Sequence, residues 1–515
     1  MFRHDDQYWV RMPEPDLEHL KRDQGEDPLA GDPRMTNRRV VMMTGSHHFQ
    51  AYWVRIARGN DMSQLPWIWD IKEEEWLPAE DVFIRPPDQG RRLQVWNDNC
   101  VACHALNGRD RKKGELFTEV AEFGISCEAC HGPGYQHVQH YRNPLRRYLS
   151  YRDQEKAAQI INPAKCSARI SSQICGSCHS AWDAGPSNQR QRYRPGDDLE
   201  KSLHLFRFGD QVAESLNETV AKSAFWQDGT LRVGGREYLA MIESPCYLGA
   251  KNAPADRHMS CLSCHSMHQS DPNDQLTARM EGNHACLQCH QKFQDKIPQH
   301  THHAVNSSGS KCYNCHMPHT SYALLKAIRS HRVEVPSAAV SAAVDKPNGC
   351  NQCHLDKSLQ WTADYLKQWY HIETEALTPE QQIESFTLTL LLRGDAAERA
   401  ITAWTCGWQE AQETSVYLAT VPALAELLDD PYVAVRRIAF QSLRSMKGFE
   451  DLQFNFVGPE ADRLEVKREV MLRWESMRGT ITRESWPVLL LDKEGQQRFL
   501  DLLKLRDDQP VEFPE

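Results

Sequence analysis

The stretch His258–His319, HMSCLSCHSMHQSDPNDQLTARMEGNHACLQCHQKFQDKIPQHTHHAVNSSGSKCYNCHMPH, carries three CxxCH units: Cys261-Leu-Ser-Cys264-His265, Cys286-Leu-Gln-Cys289-His290 and Cys312-Tyr-Asn-Cys315-His316. Two thiols three positions apart can form thioethers to the vinyl groups of one haem, and the histidine after the second thiol is placed to bind the iron. A bare CxxC pair would leave a zinc knuckle, a redox dithiol or a disulfide open. Four more units lie outside this stretch: Cys100, Cys103 and His104; Cys127, Cys130 and His131; Cys175, Cys178 and His179; and Cys350, Cys353 and His354. Only 23 of the 515 residues are histidine, yet one follows each of the seven pairs at once, a placement that zinc or disulfide frameworks do not need. Seven covalently bound haem c groups are therefore expected, which use 14 of the 17 cysteines.

That array sets the fold class. Hydrophobic residues make up 40% of the chain, so haem is expected to supply missing apolar mass. The loops between motifs are rich in Gly, Pro, Asn and Ser, which suits a mainly α protein with little regular structure around a packed haem array. Three regions follow: a partly β segment over 1–95, a multihaem domain over 96–372, and an α-helical domain over 373–515. In the first, Val40–Thr44 and Phe49–Ile56 flank Gly45-Ser-His-His48, and Leu65–Trp69 and Trp76–Ile84 flank a charged turn, the pattern of two β-hairpins. A further hairpin insert is read over Ala221–Glu243, with turns at Asp228-Gly229 and Gly234-Gly235. Helical periodicity covers Leu359–Tyr370, Gln381–Leu392, Ala396–Trp408, Val421–Leu428 and Pro431–Met446.

Sixteen histidines remain after the seven proximal ones, enough for two histidines at every iron. The best-placed distal candidates are His47 and His48 at the first hairpin tip, His137, His268, His302, His303 and His331. Each of the last five lies near a motif, where a short tether can present it to a neighbouring haem. His140, His284, His300 and His319 stand behind them; His204 and His258 are undecided, and His4, His19 and His371 read as surface residues. Met317 reads as packing. Cys166, Cys246 and Cys406 read by default as buried free thiols, with Cys246 the one that could carry chemistry.

The formal charge of −10, made more negative by haem propionates, argues against nucleic acid and leaves a basic redox partner open. No apolar run approaches the roughly 18 residues of a membrane span, and the N-terminus lacks the apolar core of a signal peptide. Because c-type haem is attached outside the cytoplasm, a periplasmic or other extracytoplasmic location is expected.

The segment Cys127–Gly134 (CEACHGPG), the segment Cys312–Pro318 (CYNCHMP) followed by His331, and the doubled spacing of Cys261–His290 resemble the multihaem cytochromes grouped with pentahaem nitrite reductase, hydroxylamine oxidoreductase and its tetrahaem electron acceptor. Residues 38–372 look most like extracytoplasmic cytochromes with Gly45-Ser-His-His48 before the haems and HEAT or similar repeats after them. Pro422–Leu443 resembles one such repeat: helix, Asp-Pro turn, second helix. Those relatives carry a further CxxCH ahead of the β segment, so the resemblance implies a chain that starts late, without its signal peptide, and an eighth haem on the missing segment. The resemblance bears on the haem packing more than on a particular reaction; closely packed, mostly bis-histidine haems lead to the expectation of an electron-transfer role between a redox donor and acceptor, with a membrane-associated complex docked through the helical domain. The alternative is a reductase or oxidase of nitrite, hydroxylamine or tetrathionate at one haem with an open distal position. No CxxCK unit is present and no cross-linking tyrosine can be placed, so the catalytic residues stay unassigned.

Overall fold

The computed structural model describes residues 1–513 apart from 28–30, 32, 88–92, 99, 109–116, 153–159, 184–192, 211–222, 251, 255–256, 269–273, 324–325 and 375–376. The chain gathers into two compact units that divide the motifs between the fourth and the fifth. One comprises residues 1–80, 90–207 and 235–281; the other comprises 81–89, 208–234 and 282–515.

The first unit opens with an antiparallel sheet in simple meander order: β1 (Phe2–His4), β2 (Gln7–Pro13), β3 (Met35–Thr44), β4 (Phe49–Arg55), β5 (Met62–Asp70) and β6 (Glu75–Pro78). Both expected hairpins are present, β3–β4 and β5–β6, and the pairing of β4 with β5 makes them one sheet. Alternation along the strands places Val10, Met12, Val54 and Leu65 in one apolar cluster. The second half of the expected insert is corrected. Its first turn is real, with Phe225 bridging Leu231 around Asp228-Gly229, but Glu237–Ile242 is a helix, and Ala221 and Lys222 lie outside the described residues.

Against expectation, His19 is buried. The helix Pro15–Asp23 lays it on β5, where Nε2 meets Ser63 Oγ at 2.9 Å. Burial first, then the Arg22 and Arg58 guanidinium groups, push its pKa down to about 4. The folded value lies below the unfolded value of about 6.5, so on acidification the unfolded chain takes up the proton first. The stabilisation is complete above about pH 6.5 and is lost as pH falls toward 4. Hydrogen exchange at the β4 and β5 amides is expected to accelerate through that window, and His19→Gln is expected to flatten the dependence.

In the second unit the C-terminal helices form a close-packed core. The helix Phe386–Arg393 packs on Ala396–Gly407, which packs on Val433–Arg444, and Val421–Leu427 lies against both Val433–Arg444 and Glu460–Met477. Leu391, Ala400, Ala403, Leu424, Val435 and Leu443 fill the interior. A fully buried ion pair crosses it: Arg399 Nε and Nη2 donate to Asp430 at 2.7 and 3.2 Å, and Nη1 donates to the Gly394 carbonyl at 2.6 Å. Every guanidinium nitrogen thus meets an acceptor, as a buried charge requires. Among the described residues no helix is long and apolar enough to cross a membrane.

Candidate haem-binding sites

Most motifs sit on a short helical turn, where residues three and four apart share a side, so both thiols and the imidazole face one way. The turns include Val101–His104, Cys127–His131, Cys312–His316 and Gly349–Cys353. Four motifs depart from one continuous helical turn. In the first, Cys103 lies inside the helix while Cys100 is its N-cap; in the third, fourth and fifth, the elements Ala168–Gly176, Cys261–Ser263 and His284–Leu287 end between the two thiols, so Cys178, Cys264 and Cys289 lie beyond them. Backbone bonding restores the geometry in all four. The Cys103 N–H donates to Cys100 O at 3.2 Å and the Cys178 N–H to Cys175 O at 3.1 Å, as Cys264 does to Cys261 and Cys289 to Cys286, each at 3.2 Å.

In five motifs the histidine N–H donates to the carbonyl of the first cysteine at 2.9–3.0 Å: His104 to Cys100, His179 to Cys175, His265 to Cys261, His290 to Cys286 and His354 to Cys350. One backbone clip therefore recurs along the chain. Side-chain caps reinforce some turns, as where Asn348 Oδ1 accepts from Cys350 N and Asn351 N. All 14 motif cysteines are free of disulfides, which leaves both sulfurs of every pair open to thioether formation. The second thiols Cys103, Cys130, Cys178, Cys264, Cys315 and Cys353 are half-buried, and Cys289 is exposed.

The rings are held by their other nitrogen. Nδ1 meets an oxygen in four motif histidines: His131 to Ile161 O at 2.7 Å, His265 to Asp274 O and His316 to Glu334 O at 2.9 Å, and His179 to Glu237 Oε2 at 3.1 Å. Carbonyl and carboxylate oxygens can only accept, so Nδ1 carries the proton and Nε2 keeps its lone pair, the arrangement that orients a metal-binding imidazole. At His354 burial and the neighbouring His303 push the pKa down to about 4, which keeps the ring neutral near pH 7.

Three motif histidines face a second histidine. His131 and His268 have ring centres 6.1 Å apart and planes within 9°. His316 and His300 lie at 6.2 Å and 1°, and His354 and His303 at 6.2 Å and 33°. Two imidazoles on opposite sides of one metal, each bonded at about 2.0–2.1 Å with its ring centre roughly 1.1 Å behind the nitrogen, would be about 6.3 Å apart. The residues therefore fit haem iron between them. His303 Nδ1 donates to Thr301 O at 2.5 Å and repeats the anchoring seen in the motif histidines.

The remaining candidates are placed otherwise. His302 stacks on Trp369 at 4.2 Å and 11°, His137 lies on Tyr141 at 4.7 Å, and His331 donates from Nδ1 to Arg329 O at 3.1 Å. His47 Nδ1 meets Ser46 Oγ at 2.7 Å on the exposed turn it shares with His48. His140 contacts Tyr141, and His284 opens the helix His284–Leu287. His319 is buried between Trp404 and Trp408, where desolvation pushes its pKa well down. His258 spends Nε2 on the Ala253 carbonyl at 2.9 Å, which turns its usual iron-binding nitrogen away.

The motifs also approach one another within each unit. The first thiols of the third and fourth motifs, Cys175 and Cys261, lie beside each other, as do Cys286 and Cys312 of the fifth and sixth. Cys103 of the first motif lies within electrostatic reach of His179 in the third, and the Cys178 sulfur stands 3.8 Å from Ser177 Oγ. A Cβ at Gly349 would stand 2.9 Å from Cys315 Cα and 2.7 Å from Asn314 O, so the seventh motif packs on the sixth only because that position is glycine. Of the spare cysteines only Cys406 is buried, its thiol pushed up to about 12; Cys166 and Cys246 are half-buried, which corrects the default reading for both.

Comparison with known proteins gives two matches. Residues 87–132 match the family model described as cytochrome c554 and c-prime, and residues 252–295 match the doubled CXXCH motif. They cover the first two motifs and the fourth and fifth. No curated protein and no solved structure matches the chain. Repeated CxxCH turns with anchored histidines, together with these matches, define a c-type cytochrome. More particularly, the chain is a multihaem c-type cytochrome that works in electron transfer.

Proposed function

We propose that this chain is an extracytoplasmic electron carrier that holds seven haem c groups, mostly between two histidines each, and passes electrons between a donor and an acceptor protein. The three opposed histidine pairs carry the reading: His131 with His268, His316 with His300, and His354 with His303. Haem iron supplies a one-electron Fe(III)/Fe(II) couple, and two nitrogen ligands leave no position for a substrate. The chain's part is to hold His131, His179, His265 and His316 by Nδ1 with Nε2 free, and to bring successive motifs close, Cys175 beside Cys261, Cys286 beside Cys312 and Gly349 against Cys315. The distal roles of His47, His48, His137 and His331 belong to the motifs without an assigned partner, and His302, stacked on Trp369, takes none. The C-terminal helices, HEAT-like in the resemblance of Pro422–Leu443, offer the surface that docks a larger, membrane-associated assembly.

Intact mass and electron paramagnetic resonance of the matured, oxidised protein test the proposal together. Seven covalent haems with low-spin signals unmoved by nitrite, hydroxylamine or cyanide are expected. Fewer than seven haems would overturn the count, and a high-spin haem that binds these ligands would replace the carrier by an enzyme.

A further inference from the structure

The protein is acidic overall, but one face of its N-terminal sheet is not. In the β2–β3 pairing Trp9 stands opposite Arg39 and Arg11 opposite Asn37, so Arg11 and Arg39 share a face. The β3–β4 pairing sets Val40 opposite Val54, and one step further along the same antiparallel register brings Arg39 across from Arg55. The alternate residues Val10, Met12 and Val54 point into the core cluster, which turns the three arginines outward, and all three are exposed. Other arginines of this region are neutralised: Arg38 pairs with Glu14 and Asp16, and Arg58 with Asp61 and Asp98. Arg11, Arg39 and Arg55 have no acidic partner among the described residues. Like charges directly opposite across strands are destabilising, so the Arg39–Arg55 neighbourhood costs stability unless an anionic surface covers it.

The face also lies next to a haem site. Arg55 pairs in register with Met62 on β5. Met62 N donates to Asn97 Oδ1 and Met62 O accepts from Trp96 N, both at 2.9 Å, while Trp96 O accepts from Val101 N at 3.0 Å within the first motif. Two hydrogen-bonded steps therefore connect the arginine face to Cys100–His104.

We propose that Arg11, Arg39 and Arg55 form the docking face for an acidic redox protein, which exchanges electrons through the haem of the first motif. This rests on the carrier reading above. Electrostatic complementarity acts mainly on encounter rate, so the effect belongs in the association step and falls with salt. In the exchange one electron leaves the partner's reduced iron, which becomes Fe(III), and enters a ferric haem, which becomes ferrous; no proton moves.

The test is stopped-flow reduction of the matured protein by reduced plant-type ferredoxin, an acidic donor, across a salt series. The triple variant Arg11→Glu/Arg39→Glu/Arg55→Glu should lower the second-order rate at low salt at least tenfold and flatten its salt dependence, with glutamine variants intermediate. Its haem content and its reduction by dithionite should equal those of the parent. An unchanged ferredoxin rate would overturn the proposal. So would an equal loss in transfer to a basic cytochrome c, or an effect confined to binding of phosphatidylglycerol vesicles. Failure of the parent protein to accept electrons from dithionite would instead remove the carrier reading itself.

Discussion

Replacing His300 by alanine is expected to convert one low-spin ferric haem to a high-spin one that binds cyanide, with the total haem count unchanged. His300 faces His316 at 6.2 Å with planes 1° apart, a spacing an iron fills, and both thioether anchors of that motif stay in place. His303→Ala should act in the same way at the seventh motif, opposite His354, and His268→Ala at the second, opposite His131. His302→Ala should leave every haem low-spin, because His302 is engaged with Trp369 rather than with a motif histidine. Electron paramagnetic resonance of the three variants and this control separates ligation from general disturbance. High-spin signal in the His302 variant alone would reverse the assignment between neighbours two residues apart.

The second large effect concerns folding without haem. The helices around the second motif, Cys127–His131, Tyr135–Tyr141 and Pro144–Arg152, bury no residue, and Tyr135, Leu145, Tyr148 and Tyr151 are each more than 60% exposed. The fifth motif and the helix Ile297–Thr301 likewise bury nothing. Segments that remove so little apolar surface from water cannot offset the entropy of ordering their chain. By contrast, the helices between Phe386 and Arg444 are filled with buried leucine, alanine and valine. Protein made without haem attachment is therefore expected to be cleaved rapidly by protease within 127–152 and 284–301, while a fragment holding 386–477 persists. Equal protease resistance of the haem-free and haem-loaded chains would contradict this contrast in burial.

Several elements could be read from periodicity because their partners are near in sequence. The helix Leu359–Tyr370 has the expected bounds, and both N-terminal hairpins announce themselves by alternation around a turn. The Gln381–Leu392 pattern is instead two helices, Pro379–Ile383 and Phe386–Arg393, because Ser385 caps the second. The helix Glu460–Met477 leaves no mark in the sequence pattern. It is charged all round, buries only Val470 and Trp474, and so has no apolar stripe to detect. Glu237–Ile242 read as strand because its alternation is short, and its helix is decided by Tyr238 packing against Gly176 from a distant segment.

Seven CxxCH units were determined by residue order alone, because thioether attachment and proximal ligation are local chemistry within five consecutive residues. How each unit is folded is less local: Cys103 sits inside a helix and Cys178 beyond the end of one, although the spacing around them is the same. Which histidine faces which motif histidine is a different kind of fact. His300, His302 and His303 lie within four residues of one another, and only the path of the surrounding chain turns His300 toward His316 and His303 toward His354 while His302 lies on Trp369. Likewise, three arginines at positions 11, 39 and 55 carry no message until strand register sets them on one face. Local bonding is written in adjacent residues; opposition across a gap of several ångströms exists only once the backbone has closed around it.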